Sequence, residues 1–129
     1  MNVEQLTIET LLNHAGVSAI VGTKVYPLVA RQTISAPYIA IFKVSDVREY
    51  SHCGYSGLKR VRMQINCYTK DGDPSAYETV KNLAEQVKDA MENMVGGAKA
   101  VFQDSDVEDY DTETRFFKVI LDFIIEFKE

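Results

Sequence analysis

The chain has 129 residues, 46% hydrophobic and 10% aromatic, with a formal net charge of −5. This composition excludes a disordered tail or a fibrous repeat, and at this length folding removes about two-thirds of the unfolded chain's surface from water, so a core forms without cross-links. Cys53 and Cys67 make no disulfide framework, the start Met1-Asn2-Val3-Glu4-Gln5 has no signal-peptide character, and no apolar run approaches the ~18 residues of a spanning helix; a cytosolic chain with no membrane segment is expected.

In residues 3–14, Val3, Leu6, Leu11 and Leu12, with Ile8 nearby, approximate a helical stripe, and Gly16 suits its C-terminal cap. Ser18 is placed to start one further turn through Ala19, Ile20 and Val21, ended by Gly22. Lys24, Val25 and Tyr26 form a short extended piece. A loop over 28–36 follows, closed by Pro37, which opens a strand more readily than it sits inside a sheet. Residues 38–48 then read as a strand covered on both sides, because Tyr38, Ile39, Ala40, Ile41 and Phe42 are apolar at every position.

Two glycines and two serines make 50–57 a loop. Beyond it Val61, Met63, Ile65 and Cys67 alternate with Arg60, Arg62, Gln64, Asn66 and Tyr68, the period of a half-exposed strand. Asp73 is placed to cap a helix whose first residue is Pro74. The helix runs over 74–94 on the spacing of Ala76, Val80, Leu83, Val87, Ala90, Met91 and Met94, with Lys81 and Glu85 as an i,i+4 pair and Gly96-Gly97 as its stop. Strands over about 99–108 and 114–127 complete the chain. In the last, Phe117, Val119, Leu121, Phe123, Ile125 and Phe127 make one face; Phe116, Ile120 and Ile124 lie on the other among Lys118, Asp122 and Glu126. That second face is too apolar for open water and is expected to meet the first helix or another subunit.

The expected fold is therefore α+β: one domain over 1–129, with a mainly antiparallel four- to five-stranded sheet covered by two helices. Its charge is segregated. Residues 104–113 hold Asp104, Asp106, Glu108, Asp109, Asp111 and Glu113 with no base, and without these six acids the net charge of −5 would be +1. Residues 43–70 hold six bases (Lys43, Arg48, Lys59, Arg60, Arg62, Lys70) against Asp46 and Glu49. Such polarity orients molecules that associate.

Catalytic and cofactor signatures are weak. His52-Cys53 is a thiol beside a base but has no third orienting group, Cys67 falls on an apolar strand face, and His14 lies near a helix end where terminal carbonyls account for it. The Cys and His spacing fits no zinc site. The acidic run fails as a calcium loop, with Asp109 where the glycine belongs and Arg115 where the twelfth-position acid belongs. Gly54-Tyr55-Ser56-Gly57 matches no phosphate cradle. Arg60 and Arg62 beside Tyr68 suggest an RNA-binding sheet face, which the net acidity opposes.

The landmarks Leu11-Leu12, Gly16-Val17-Ser18-Ala19-Ile20-Val21-Gly22-Thr23-Lys24-Val25-Tyr26-Pro27, Ala36-Pro37-Tyr38-Ile39, Tyr50-Ser51, Gly57-Leu58 and Arg62-Met63-Gln64-Ile65-Asn66-Cys67-Tyr68-Thr69 occur in an order that resembles the tail-completion, or tail-terminator, proteins of long-tailed bacteriophages and prophages. The likeness continues through the helix from Tyr77. It implies a structural, non-enzymatic protein without cofactor or metal, made in the host cytoplasm and carried at the head-proximal end of the virion tail. There a hexameric homo-oligomer would stop polymerisation of the tail tube protein, dock the head-tail connector protein and let DNA pass its lumen without specific binding. Contacts to subunits or partners are then expected at Arg60, Arg62, Asp104, Asp106, Glu108, Asp109, Asp111, Phe116, Ile120 and Ile124. Another head-tail joining adaptor, or a small hydrolase using Cys53 and His52, are the competing expectations.

Overall fold

In the computed structural model, which describes residues 2–27, 36–72, 74–94 and 98–128, the chain runs α1 (Val3–Asn13), α2 (Ala15–Val21), β1 (Val25–Pro27), β2 (Tyr38–Ser51), β3 (Gly54–Lys70), α3 (Ala76–Glu92), β4 (Ala98–Asp111) and β5 (Phe116–Lys128). The strands form one sheet in the order β1-β2-β3-β5-β4, with β1 parallel to β2 and the other neighbours antiparallel. The α+β class and the mainly antiparallel sheet agree with expectation. The helix number does not: three helices stand where two were expected.

The additional helix is α2, expected as a single turn. Its N-cap is His14, whose Nδ1 accepts from the Val17 N–H at 3.3 Å, and Gly22 ends it at a φ of 64° that favours glycine. Histidine is outside the usual capping set, which hid the start. Gly16 does not cap α1 but lies inside α2, where a Cβ would run into the Gln86 side chain of α3. With Nδ1 accepting, His14 Nε2 carries the hydrogen that meets Asp89 Oδ2 at 2.8 Å, so the ring ties the α1–α2 corner to α3 rather than resting on helix-end carbonyls. The start of α1 is a capping box between Asn2 and Gln5.

The core follows from the strand period. Register places Met63 opposite Phe123 and Ile65 opposite Leu121, so the odd-numbered residues of β3 and β5 share one face. Against it pack Val80, Leu83, Val87, Ala90 and Met91 of α3, with Val3, Leu6, Leu11, Val17 and Val21 of the first two helices. Each fully buried aliphatic or aromatic side chain contributes about 1.5–3 kcal/mol. The helix α3 starts at Ala76 with Ser75 as N-cap, two residues later than expected; Asp73, Gly96 and Gly97 lie outside the described residues, as do positions 28–35 of the expected loop.

Three strand expectations need correction. In β2 only Ile39, Ala40 and Ile41 are buried, and the strand is exposed from Lys43 onward, because β1 flanks it only at 39–41. The expected loop at 50–57 is mostly strand: Tyr50 pairs with Tyr55 and Ser51 with Gly54 around a turn at His52-Cys53. Gly54 and Gly57 take positive φ there, which is what their turn-like composition encodes. The strand expected to end near 108 runs on to Asp111, so Asp109 and Asp111 also sit within β4, and only 112–115 turn.

Candidate assembly surfaces

Most of the charge singled out in the sequence is spent within the chain. Facing α3 from β4, Asp106 receives Lys88 Nζ at 2.6 Å, and Glu108 receives both Lys81 Nζ and, at 2.8 Å, the Tyr77 hydroxyl. Lys81 therefore reaches across to the sheet instead of pairing with Glu85, which Lys88 takes at 3.1 Å. Hydrogen bonds from Lys81 and Tyr77 hold the Glu108 carboxyl below its ordinary value, and the bonds to Glu108 and Asp106 raise the Lys81 and Lys88 ammonium groups.

A depressed carboxylate stabilises the fold above its unfolded-state pKa, here 4.5, and loses that contribution as pH falls through the lower folded value. Glu108→Gln is thus expected to show a lower urea midpoint than the native chain at neutral pH, with the gap closing below about pH 4.5. A gap that does not change with pH would mean that the contact works by packing rather than charge.

On the opposite face, Arg62 meets Asp104 at 3.0 Å and Arg60 meets Glu126 at 3.3 Å. Asp111 caps the β4–β5 turn by accepting from the Glu113 and Thr114 N–H groups, which lowers its pKa. Asp109 accepts from its neighbour's N–H, that of Tyr110, and makes no ion pair with another of the described residues. At the other end of the sheet, Asp46 lies between Lys43 at 3.4 Å and Lys59 at 3.2 Å; burial pushes its carboxyl up, but these two cations bring it below its usual value. Acidic and basic hairpins thus point to opposite ends of one sheet, since Lys70 pairs with Phe116 and Leu58 with Lys128.

Phe116, Ile120 and Ile124 lie together on the face away from the core, with no described helix over them. Of the two expected coverings, the first helix is excluded: Val3, Leu6 and Leu11 belong to the core on the other side. Phe116 closes an aromatic group with Tyr38 and Tyr68, whose rings stack at 4.7 Å. Beside them is an open depression of about 590 Å³ lined by Asp109, Asp111 and Lys118 among others. Ile120 and Ile124 are half-buried, with Arg62 directly opposite Ile124 on β3. In the middle of this face Asn66 is buried with its Oδ1 unpartnered.

The other candidates are unremarkable chemically. Cys53 is exposed in the β2–β3 turn with no hydrogen bond to His52, and Cys67 is fully buried, which pushes its thiol pKa up. Among the described residues there is no cluster of metal-ligating side chains and no helix long and apolar enough to cross a membrane. What sequence reading missed is the exposed apolar set on the outer strands: Val44, Val47 and Tyr50 on β2, and Phe102, Val107 and Tyr110 on β4. On β4 the available signal was three apolar residues, Phe102, Val107 and Tyr110, set among the acids of an otherwise polar stretch.

Comparison with known proteins matches residues 7–127 to a family model described as tail completion protein gp17. A chain of a solved structure described as the virion of a native gene transfer agent particle is similar at 18% identity and a TM-score of 0.80, covering 98% of this chain and 95% of that one. No curated protein matches.

Proposed function

The chain belongs to the tail completion protein gp17 family of phage tail structural proteins, and from that membership we propose that it acts as a single domain, six copies of which close into a ring on the head-proximal end of the tail tube. The ring stops addition of tube protein and offers the head-tail connector a surface to dock. The family match over 7–127 carries this reading. Two features support it physically. The sheet face with Phe116, Ile120 and Ile124 has no described helix over it, and the charged hairpins at opposite sheet ends suit a head-to-tail contact. Arg60 and Arg62 already hold carboxylates, so a lumen carrying them grips DNA phosphates weakly.

Particles assembled without the chain are expected to show overlong or unjoined tails in electron micrographs. Tails of normal length beside heads that leak DNA would contradict termination and favour a connector-side adaptor. Cys53→Ala is expected to leave assembly at the native level; loss of particle yield in a folded Cys53→Ala variant would revive thiol chemistry.

A further inference from the structure

His14 closes two helices at once. It is the C-cap of α1, its N–H donating to the Leu11 carbonyl at 3.3 Å, and the N-cap of α2, its Nδ1 accepting from the Val17 N–H at 3.3 Å. The other imidazole nitrogen is committed to a third element, since Nε2 meets Asp89 Oδ2 of α3 at 2.8 Å. An ionised carboxylate only accepts, so Nε2 carries a hydrogen, and Nδ1 accepts only while it carries none. The two bonds together require the neutral imidazole.

This cap differs from Ser, Thr, Asn and Asp caps in one respect. Their oxygens keep their lone pairs through the neutral range, whereas the accepting nitrogen of an imidazole takes up a proton between about pH 5 and 8. Protonation makes both nitrogens donors. Nε2–H then stays on Asp89, where the pair gains charge, but the Val17 N–H faces a donor. Val17 is 0% exposed, so water does not take over its N–H, and a buried donor without an acceptor is costly.

The charged groups facing the imidazole are Asp89 of α3 and Glu9 of α1, which lines the same shallow depression. Both are acids and favour the proton. Gln86, the α3 side chain against Gly16, is neutral, Lys88 is turned to Asp106, and α2 carries no charged residue. Against the proton stand the N–H groups at the start of α2.

We propose that His14 is a pH-sensitive joint between three helices: neutral, it caps α2 and holds α3; protonated, it keeps α3 and releases the first turn of α2. Val17 and Val21 are the buried residues of α2, so the release loosens this short helix on the core while the α1–α2 corner stays tied to Asp89. The joint is independent of how many copies of the chain assemble.

An NMR titration of the full chain from about pH 8 down to about pH 5 tests it. Long-range nitrogen–proton spectra are expected to place the His14 hydrogen on Nε2 at the upper end. The Val17 amide is expected to shift with the midpoint of His14 and not with that of His52, which is exposed in the β2–β3 turn. Its exchange protection, corrected for intrinsic pH dependence, is expected to fall about fivefold, roughly what one hydrogen bond is worth. His14→Asn supplies a capping acceptor that does not titrate and is expected to hold that protection constant. Asp89→Asn leaves an acceptor for Nε2–H but removes the charge, and is expected to move the Val17 transition to lower pH. A hydrogen on Nδ1 at the upper end, a Val17 amide that ignores the His14 titration, a response that survives His14→Asn, or a midpoint that Asp89→Asn leaves in place would overturn the joint.

Discussion

Phe123→Ala is expected to lower the unfolding free energy by about 3–5 kcal/mol, against a total of about 5–15 kcal/mol for a domain of this kind. Phe123 is 1% exposed on β5, opposite Met63 and Gln103, and belongs to the same buried cluster as Leu83 and Val87 of α3. Truncation removes the ring from the layer between sheet and helix and leaves a cavity that neighbours from two elements fill only in part. The urea midpoint is expected to fall by more than about 1 M at ordinary slopes for a small protein. Phe102→Ala is the control: on the next strand but 53% exposed, it is expected to change stability by no more than about 0.5 kcal/mol. Equal losses at the two positions would contradict the assignment of faces.

Asn66→Val is expected to act in the opposite direction, raising stability by about 1–2 kcal/mol. Asn66 lies between Ala40 and Ile120 in register and is 4% exposed; its Nδ2 donates to the Tyr68 hydroxyl at 3.4 Å, while Oδ1 has no partner. An unsatisfied buried acceptor costs about 1–3 kcal/mol, more than one long hydrogen bond returns. Valine has nearly the same volume and the β-branched shape that a central strand favours. A lower urea midpoint in this variant would mean that Oδ1 is satisfied in solution, and that the polar centre of the open face is part of the fold rather than a cost to it.

The sequence was most legible where one face of an element packs on the core and the other carries polar residues. In β3, Val61, Met63, Ile65 and Cys67 alternate with polar neighbours, and all four are buried. In α3, Val80, Leu83 and Val87 mark the core stripe directly. Legibility failed where partners are distant in the chain. Lys81 reads locally as a partner of Glu85, yet Glu108 lies nearer in space and takes it. For the same reason Asp106 and Glu108 read as contacts for another subunit or partner, whereas they clamp β4 to α3 of their own chain.

The β2–β3 arm was misread for a different reason. Its outer half has no core to bury, so neither hydrophobic period is imposed on Lys43 to Ser51, and Gly54 and Gly57 gave the appearance of a longer loop. The candidate contacts divide in the same way. The clustering of Phe116, Ile120 and Ile124 on one face was readable from period two alone. That Arg60, Arg62, Asp104, Asp106 and Glu108 already pair within the chain depends on a strand order no local pattern encodes.

The claim that this chain works as a closed ring is tested most directly by its mass in solution, measured by light scattering across concentration and salt, alone and with purified tail tube protein. The expected result is a species near six times 14.5 kDa that weakens as salt rises, since oppositely charged hairpins contribute to the contact. A chain that remains a 14.5 kDa monomer at every concentration, and on the tube as well, would contradict it.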